Sequence, residues 1–589
     1  MPTIQMHACR AGVLMLMCAG ASAQPALRAV ALTGQQAPGA PAGVAFAGFE
    51  QVRFNDAGQV AFVASLQGAG VGNDRGIYLT APGGALVSVV RTGEAAPMLD
   101  DGVDCASLGE LRLNDRGELL VSGAVAGAGV DPSSDGVVWR RDADGAFTVL
   151  VRTGAGAPGT PAGTVFTGFR ELRLNNNDDA SLYATIAGPG IAPTEDLGLW
   201  KSIDRGTLRL VARESQRTPF LPIGTFVTEI RDGHSLSAYG TTSFACRIGG
   251  ENVTPDNENA VVQELLPTLI LLVFADREGT LDEGTGVFDR FDAPVMNDES
   301  PAGNLSYRFY RRGFGIDQTN DSAISTQASA TTTGGEQRVT REGTALADLG
   351  IPESAGVVLG ELGRPVLADR GPTLFAASLA GDVTPEDDGA IVRKTVEGAA
   401  SIVVREGDAA PGTGAVFASV EAPAVDFRGR IALLADLAGP GVDGANDKGL
   451  WAERYAGAFE LVVRTGDTLD VDSDPVETDL RTVASIAFDS ADGFNDAGQL
   501  CIVLTFVDGS AGVFVSDPYE EPCSADFDED GDVDLGDFGL FGGAFGSELG
   551  VDLGNPGFDP IADFDGDDDV DLGDFGAFGE QFGRTDCLP

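Results

Sequence analysis

A nine-residue string recurs along this chain and constrains its fold more than any other feature. "FNDAGQVAF" begins at Phe54, and related strings begin at Leu113 ("LNDRGELLV") and Phe494 ("FNDAGQLCI"). Asn and Asp tolerate left-handed backbone and Gly accepts positive φ, so the central tetrapeptide suits a tight turn between two strands. The recurrence therefore predicts tandem β-hairpins over most of the chain.

Two sequence markers follow the same period. Hairpin turns are predicted at Asn55, Asn114, Asn176, Asp232, Asn297, Asp369, Asp426 and Asn495. An apolar strand ending in arginine closes each unit, at Arg91, Arg152, Arg213, Arg277, Arg341, Arg405 and Arg464. The first unit contains four strands, "EQVRF", "QVAFVASL", "GIYLT" and "ALVSVVR". Four-stranded units repeated about every 63 residues fit β-propeller blades better than helical solenoids.

The two ends of the array predict a closed ring. "AVALTGQQAPG", which begins at Ala29, is similar to the closing strand "VVRTGEAAPM" of the first unit. The last unit, which begins at about Thr482, lacks such a strand. A ring has this arrangement when its first strand completes its last blade. We therefore predict a mainly β fold over residues 24–518: an eight-bladed propeller of four-stranded repeats, closed by the N-terminal strand.

The first unit also carries a short motif of a known family. Asn55, Gly58, Ala61 and Phe62 spell Asn-x-x-Gly-x-x-Ala-Phe. On these residues the body of the chain resembles bacterial choice-of-anchor tandem repeat NxxGxxAF-containing proteins. Later units depart from the motif, and the second has Leu119-Leu120 at the positions of Val60-Ala61. The resemblance implies a repeat architecture, and the family provides no known activity that could be transferred to this chain.

The charge balance excludes one class of partner. The formal net charge is -51, from 38 Lys and Arg against 89 Asp and Glu. Such a chain repels a phosphate backbone, so nucleic acid is not an expected partner. Hydrophobic residues make up 43% of the chain, which is enough for a packed core.

The N-terminal residues predict secretion. His7 and Arg10 precede an apolar run that ends in Ala21-Ser22-Ala23, a small-residue cleavage pattern. We expect a signal peptide over residues 1–23 and a secreted or cell-surface protein; a lipoprotein anchor at Cys18 is the alternative. No later apolar run reaches the roughly 18 residues of a membrane helix, so no transmembrane segment is predicted.

Five cysteines follow the signal sequence. Cys523 and Cys587 bracket a compact acidic tail, and we predict a disulfide between them. Cys105, Cys246 and Cys501 lie in different repeats. Two interpretations of these three cysteines are left: all are buried apolar thiols, or one further disulfide forms.

Several recurrent residues allow a functional or a structural interpretation. The repeated arginines could form a cationic ring around a channel, or could tie one blade to the next. Aromatic residues of the third strand could stack on sugars, or could pack between blades: Tyr78, Trp139, Trp200, Trp451 and Phe514. The variable loops between the second and third strands, such as "GAGVDPSSDG", are the expected location of recognition or are plain turns.

Catalytic candidates are few. His7 leaves with the signal sequence, so His234 is the single histidine of the mature chain and no histidine metal cluster is possible. His234 falls at the predicted fourth hairpin, where we expect an exposed turn residue. Paired carboxylates of the glycosidase type are possible among so many acids, but no pair stands out in the sequence.

The tail contains two near-identical acidic segments, "ADFDEDGDVDLGDF" from Ala525 and "ADFDGDDDVDLGDF" from Ala562. Aspartates occupy positions 1, 3, 5, 7 and 12 of a calcium loop in each. The predicted ligands are Asp526, Asp528, Asp530, Asp532 and Asp537, then Asp563, Asp565, Asp567, Asp569 and Asp574. We expect two Ca²⁺ ions, with phenylalanine-bearing helices after the loops.

The duplicated tail resembles a type I dockerin, which implies a small α-helical EF-hand-like module over residues 519–589. The resemblance implies a cohesin-like or other cell-surface protein as a possible partner. Leu535-Gly536 and Leu572-Gly573 replace the Ser-Thr pairs that often contact cohesin, and Asp568 replaces the turn glycine of the second loop. Calcium binding therefore transfers more safely than cohesin binding.

Together these features favour a secreted binding or surface-associated scaffold, with a propeller that takes a ligand such as a glycan. An extracellular polysaccharide-active enzyme is the alternative, because dockerins are commonly joined to such enzymes. A structural surface-layer component is the second alternative. The sequence gives no catalytic residue.

Overall fold

The computed structural model describes the body of the chain from Ala26 to Pro518 and parts of the tail. The described body excludes residues 69–73, 204, 218–223, 265–271, 281–285, 298–303, 328–335, 352–355, 369–371, 395–399, 428, 456–457 and 473–477. The described tail comprises residues 525, 527, 533–547, 562, 564 and 570–583. The predicted signal peptide, Asp369, Cys523 and Cys587 lie outside these residues. The chain divides into two compact units between Asp517 and Pro518.

The body is an eight-bladed β-propeller built from antiparallel sheets. Its first strand, β1 (Leu27–Leu32), belongs to the last blade. Blades 1 to 4 each contain four strands. Blade 1 comprises β2 (Ala45–Phe54), β3 (Val60–Gln67), β4 (Arg75–Thr80) and β5 (Leu86–Arg91), and blade 2 comprises β6 (Val103–Leu113), β7 (Leu119–Gly127), β8 (Gly136–Arg141) and β9 (Phe147–Arg152). Blade 3 comprises β10 (Val165–Leu174), β11 (Ala180–Ala187), β12 (Leu197–Ser202) and β13 (Arg209–Arg213), and blade 4 comprises β14 (Thr225–Leu236), β15 (Thr242–Gly250), β16 (Asn259–Glu264) and β17 (Leu272–Arg277).

In blades 5 to 7 the first strand is interrupted, and a two-residue piece continues it. The strands of blades 5 and 6 are β18 (Gly286–Phe291), β19 (Val295–Met296), β20 (Leu305–Gly313), β21 (Ser322–Gln327) and β22 (Glu336–Arg341), then β23 (Val357–Leu362), β24 (Val366–Leu367), β25 (Thr373–Gly381), β26 (Gly389–Lys394) and β27 (Ala400–Arg405). A 3-10 helix at Leu346–Leu349 separates them. Blade 7 comprises β28 (Ala409–Ala410), β29 (Ala415–Val420), β30 (Ala424–Val425), β31 (Ile431–Ala438), β32 (Lys448–Tyr455) and β33 (Ala458–Arg464).

The N-terminal strand closes the ring. Blade 8 has the strand order β1, β37 (Ala511–Ser516), β36 (Cys501–Phe506), β35 (Leu480–Phe488) and β34 (Thr468–Asp470). β1 runs antiparallel to β37, with Leu27 opposite Ser516 and Leu32 opposite Gly512. The predicted closure by the first strand is confirmed.

The recurrent turn forms as the sequence predicts in blades 1, 2, 7 and 8; in blade 7 the Arg430 N–H donates to Asp426 Oδ1 at 2.8 Å. In blade 1 the Gln59 main-chain N–H donates to Asn55 Oδ1 at 2.7 Å, and Gly58 has a φ of 72°. A positive φ at this position is what the recurrent glycine supplies without a Cβ clash. Asn114 and Asn495 open equivalent turns, with their Oδ1 atoms 2.9 Å from the N–H groups of Glu118 and Gln499.

Two predicted turns are displaced. The turn of blade 3 opens at Asn175, one residue before Asn176, because Asp179 N–H donates to Asn175 Oδ1 at 2.9 Å. The turn of blade 4 opens at Ser237 and not at Asp232, since Ser237 N–H donates to Thr241 O at 2.9 Å. Asp232-Gly233 lies in a bulge of β14, between the pairs Ile230/Cys246 and His234/Phe244. Gly233 has a φ of 88°, so the Asp-Gly signal serves a bulge there.

The turns of neighbouring blades are joined around the ring. The Nδ2 group of Asn55 donates to Asn114 O at 2.8 Å, and that of Asn114 donates to Asn175 O at 3.0 Å. The same bond joins Asn175 to Ser237 O, at 2.8 Å, and Asn297 to Ala368 O, at 3.0 Å. These bonds place the turn ends of the first strands side by side, at the inner edge of the blades.

Apolar residues of facing sheets form the core between blades. Tyr78, Trp139, Trp200, Trp451 and Phe514 are all buried, which confirms the packing interpretation. Trp139, for example, lies in a cluster with Ile77 and Val90 of blade 1, and its indole N–H donates to Pro97 O at 3.0 Å. Cys105, Cys246 and Cys501 are buried free thiols, so the further disulfide predicted as an alternative does not form among them.

Buried charges also join blades. Lys201 of β12 donates to Glu264 of β16 at 2.5 Å, and both side chains are fully buried. The Lys201 ammonium also donates to Gly240 O at 2.8 Å. Between blades 6 and 7, Arg393 makes two hydrogen bonds to Glu453, one of them at 3.1 Å. Each pair links the third strand of one blade to that of the next.

The tail contains two short helices, α1 (Leu535–Ala544) and α2 (Leu572–Gln581). Asp534 and Asp571 cap their N-termini through capping boxes. The core comprises Ala525, Val533, Phe541, Ala544, Ala562, Val570 and Phe578, with Phe527 and Phe564 packed against it. Among the phenylalanines of the two helices and their C-caps, Phe541 and Phe578 are buried, whereas Phe538, Phe545, Phe575 and Phe582 are exposed.

None of the helices in the described part of the chain is both long and apolar enough to cross a membrane.

Candidate functional site

A cavity at the axis of the propeller is the strongest candidate site. Its volume is about 550 Å³, and seven of the eight blades contribute to its lining. Only the axis of a ring is within reach of so many blades. The charged and polar lining residues are Arg53, Arg112, Arg173, His234, Ser235, Arg364, Asp489 and Asp492.

Three arginines of the first strands form a half-ring in this cavity. The Nε group of each donates to a main-chain oxygen of the next blade: Arg53 to Leu111 at 3.0 Å, Arg112 to Leu172 at 2.8 Å and Arg173 to His234 at 3.1 Å. Each Nη1 group also donates to the main-chain oxygen of the preceding residue, as Arg112 does to Leu111 at 3.0 Å. These bonds fix the guanidinium planes before any ligand arrives.

The half-ring was not identified from the sequence. Each of these arginines stands two residues before the asparagine that opens the turn, as in Arg53-Phe54-Asn55. That register was the available signal, but blade 4 has Ser235 and blade 5 has Val295 at the equivalent position. Because the pattern covers three blades only, it did not appear as a repeat marker.

Two aspartates of blade 8 complete the charged part of the cavity. Arg53 donates to Asp489 at 2.7 Å through Nη1, and its Nε lies 3.2 Å from Asp492 Oδ2. Burial raises the pKa of the Asp492 carboxyl, while the charge of Arg53 opposes this effect. Burial also lowers the pKa of Arg112, and the neighbouring charges of Arg53 and Arg173 lower it further. The three guanidinium groups therefore repel one another inside the channel.

His234 is buried, and the expectation of an exposed turn residue was wrong. Because the bulge precedes it, His234 lies within β14, where its Nε2 is 2.8 Å from Ser181 Oγ. Its ring packs against Tyr183 at a centroid distance of 4.6 Å. Burial lowers the pKa of His234 to about 4, so the ring is neutral at pH 7.

The Ser181, His234 and Glu171 side chains have the composition of a hydrolase triad but not its accessibility. Ser181 and His234 are both buried, and His234 Nδ1 lies 3.9 Å from Glu171 Oε2, beyond hydrogen-bond distance. Glu171 instead accepts a hydrogen bond from Gly233 N–H at 2.8 Å. A nucleophile must reach its substrate, so we assign this cluster to packing between blades 3 and 4.

The recurrent arginines that close each unit lie away from the channel, on the fourth strands. Arg152 Nε donates to Ser134 O at 2.6 Å, Arg405 to Asp387 O at 2.8 Å and Arg464 to Asn446 O at 2.6 Å. Each bond holds the loop between the second and third strands of the same blade. Both interpretations of these arginines, a channel ring and a tie to the next blade, were therefore wrong for these three residues.

The predicted calcium ligands fall mostly outside the described residues. Asp537 and Asp574, at loop position 12, are described and fully buried. Asp537 accepts hydrogen bonds from the N–H groups of Phe527, at 2.6 Å, and Asp534, at 2.7 Å. Asp574 makes the equivalent bonds to Phe564 and Asp571. Both carboxylates thus face back toward their loops, a position that fits a ligand of a hard cation.

Asp526, Asp528, Asp530, Asp532, Asp563, Asp565, Asp567 and Asp569 lie outside the described residues. Among the residues that are described, no group of three or more His, Cys, Asp or Glu side chains is arranged to hold a metal ion.

Comparison with known families gives one match over the body. The model of DUF7453, described as a family of unknown function, matches residues 16–148, 106–275 and 271–525. No curated protein matches the chain.

Solved structures with a similar fold include three enzymes. A polysaccharide lyase is 11% identical, with a TM-score of 0.33, over 69% of this chain and 89% of the lyase. A puromycin hydrolase is 13% identical, with a TM-score of 0.33, over 82% of this chain and 62% of the hydrolase. An α-L-arabinofuranosidase from Fusarium graminearum is 11% identical, with a TM-score of 0.27, over 58% of this chain and 93% of the enzyme. Similarity at this level carries no argument about function.

Proposed function

The chain belongs to DUF7453, a family of unknown function, and we propose from its site that it is a secreted binding protein. In this proposal the propeller takes a ligand in its central channel, and the tail attaches the body to a cell-surface partner when calcium is bound. The resemblance of the two acidic tail segments to a dockerin supports this display role.

The charged axial cavity is the observation that carries the proposal. A structural channel needs no concentration of arginines, because buried charges are costly unless they are paired. Here Arg53, Arg112 and Arg173 are held close together although their positive charges repel one another. A preformed concave site with a few fixed polar groups is the usual form of a small-ligand site.

The calcium part of the proposal depends on the sequence of the two loops. Ten aspartates at ligand spacing would repel one another without cations. The buried positions of Asp537 and Asp574 support the proposal, because position 12 of such a loop supplies an inward-facing carboxylate. When bound, Ca²⁺ would supply positive charge to loops that contain almost none.

A screen of the full mature protein against a glycan array, with and without calcium, tests the binding function. We expect binding that Arg173→Gln weakens and Arg152→Ala does not, because Arg152 lies on a fourth strand and holds its own loop. Absence of any ligand in glycan and small-molecule screens would remove the binding proposal.

A polysaccharide-active enzyme is the second candidate, favoured by one specific observation. Asp489 and Asp492 both contact the Arg53 guanidinium, so two carboxylates lie close together in an open channel. Burial raises the pKa of Asp492, which is the property of a general acid. Release of new reducing ends from a polysaccharide, lost in Asp492→Asn, would establish this candidate and replace the first.

A further inference from the structure

We infer that the ligand of the axial cavity is a sugar residue that carries one anionic group, either a carboxylate or a sulfate ester. This inference rests on the proposed binding function and names its ligand class. Three sectors of the cavity wall, each with a different chemistry, lead to it.

The first sector is the arginine half-ring on blades 1 to 3. The cavity lining contains four arginines and two aspartates, a formal charge of +2 inside a chain whose net charge is -51. Glu110 lies 3.3 Å from Arg112 and reduces this excess to about +1. Asp292 lies 4.0 Å from Arg364, but it is paired more closely with Arg308, at 2.6 Å, and this second pair leaves the balance unchanged. An excess positive charge held by fixed guanidinium groups favours an oxyanion that can accept two parallel N–H bonds.

The hydrogen bonds of the half-ring leave guanidinium donors for such a group. Arg173 uses Nε for His234 O and Nη1 for Leu172 O, at 3.2 Å. Among the described residues, no hydrogen bond is formed by its Nη2 group, although Arg173 lines the cavity. Within the same part of the chain, Arg112 Nη2 has only the 3.3 Å contact with Glu110. These two groups, and the exposed guanidinium of Arg364 across the cavity, are the available donors for a carboxylate or sulfate oxygen.

The second sector consists of Asp489 and Asp492 on blade 8. Their side chains are 44% and 39% exposed, so they are accessible from the channel. Asp492 keeps this exposure although the surrounding channel wall desolvates its carboxyl group. The Arg53 guanidinium contacts an oxygen of each carboxylate, and the remaining lone pairs can accept hydrogen bonds. A ligand hydroxyl group can donate a hydrogen bond to a carboxylate without itself carrying a charge. Two accessible carboxylates therefore favour a ligand with several hydroxyl groups.

The third sector is apolar and lies on blade 5, at Ala293, Pro294, Val295 and Met296. The C–H face of a sugar ring can pack against this apolar sector, because it carries little polar surface that would lose its water. The cavity volume of about 550 Å³ is within the range of roughly 300–1,000 Å³ typical of small-ligand sites. Anion, hydroxyl and apolar contacts in one cavity are together the requirements of an acidic sugar.

Calorimetry on the full mature protein tests the inference with three matched probes: a uronic-acid oligosaccharide, a sulfated oligosaccharide without carboxylates, and a neutral oligosaccharide of the same length. We expect at least one anionic probe to bind about tenfold more tightly than the neutral one, because a charge-assisted hydrogen bond contributes more than a neutral one. Higher salt should reduce this preference. The better anionic probe identifies the group.

Two variants locate the site. Arg173→Gln should weaken the anionic probe about tenfold and leave the neutral probe unchanged. Arg364→Ala should reduce the same preference, and its side chain is 66% exposed, so its removal does not endanger folding. Arg152→Ala is the matched control and should bind as the unmodified protein does.

Equal binding of neutral and anionic probes would overturn the ligand class while leaving the binding function in place. Preference for anions that survives both Arg173→Gln and Arg364→Ala would overturn the location. Binding of no oligosaccharide, with a different ligand found in the channel, would also overturn the inference; binding of no ligand at all would remove the proposed function itself.

Discussion

Asn495 donates its side-chain amide to the main-chain oxygen of Asn55 at 3.2 Å, across 440 residues of sequence. The same bond joins Asn55 to Asn114, which lie in consecutive blades of one continuous stretch of chain. The last and first blades therefore meet through the same contact as any two successive blades. Two contacts therefore close the ring: the pairing of β1 with β37, and the hydrogen bond between the turns of blades 8 and 1.

Deletion of Leu27–Gly39 should destabilise the body far more than loss of a turn contact. The deletion exposes the edge of β37 in blade 8, and exposed edges promote aggregation. Asn495→Ala and Asn114→Ala should each cost about 2 kcal/mol, because each removes the hydrogen bond to the next blade and the one that closes its own turn. Thermal unfolding and light scattering measure both effects. A monomeric deletion variant with an unchanged melting temperature would contradict the role of β1.

Lys201→Met should destabilise the body by about 3–5 kcal/mol, because it leaves Glu264 buried without its cation. Burial already raises the pKa of Glu264 to about 7, and Lys201 opposes that rise. The double variant Lys201→Met with Glu264→Met should recover most of the loss, since no uncompensated charge remains. Chemical denaturation of the two single variants and the double variant completes the cycle. A loss in the double variant equal to the sum of the two single losses would show that the pair is not coupled.

Stability should fall in acid because of His234. Its pKa in the fold is about 4, below the unfolded value of about 6.5, so its contribution is complete above pH 6.5 and is lost as the pH falls toward 4. By pH 4 this single group should cost about 3 kcal/mol. The unfolding free energy of His234→Gln should have a shallower pH dependence over that window. Parallel curves for the two proteins would show that His234 does not titrate as its burial requires.

The native protein should show no thiol that reacts with a disulfide reagent at pH 8. Burial raises the pKa of Cys105 to about 11 and that of Cys246 to about 12, and it raises the pKa of Cys501 as well. Three thiols should react after denaturation if Cys523 and Cys587 form the predicted disulfide. Five reactive thiols in the denatured mature protein would exclude that bond. Two reactive thiols in the native protein would show that Cys523 and Cys587 are free and exposed.

The full mature chain should bind two Ca²⁺ ions, and Asp526→Ala with Asp537→Ala should bind one. Asp537 is a buried carboxylate, so removal of its charge takes away a ligand that no surface residue can replace. The second loop should bind more weakly, because Asp568 stands where the first loop has Gly531. Calorimetric titration gives both the number of ions and their affinities. Asp131→Asn, in the body, is the control; unchanged uptake in the double variant would exclude the first loop.

The sequence was sufficient for the repeat but not for its exceptions. The turn at Asn55 could be predicted because its Asn, Asp and Gly have local backbone roles. His234 was misplaced because Asp232-Gly233 carries the same local signal, while the burial that keeps it in β14 comes from Tyr183 and Ser181 of another blade. Local patterns do not distinguish a glycine in a bulge from a glycine in a turn.

The channel site was harder to predict for a related reason. Arg53, Arg112 and Arg173 are distant in sequence, and they come together because consecutive blades pack side by side. Closure of the ring then brings Asp489 and Asp492 of blade 8 beside blade 1. The recurrent arginines at the unit ends, such as Arg152, had the stronger sequence signal and a purely local task. Periodicity indicates what every blade needs, whereas a ligand site uses what only some blades possess.

The position of β37 has a mechanical consequence. The chain enters the ring and leaves it at one point, because Asp517 N–H donates to Ala26 O at 3.1 Å. β37 lies between β1 and β36, so tension applied through the C-terminal end of the body must release two antiparallel strands at once. A strand held on one edge only would unzip under a smaller load. The N-terminal strand therefore raises the force needed to pull β37, the last strand before the tail, out of blade 8.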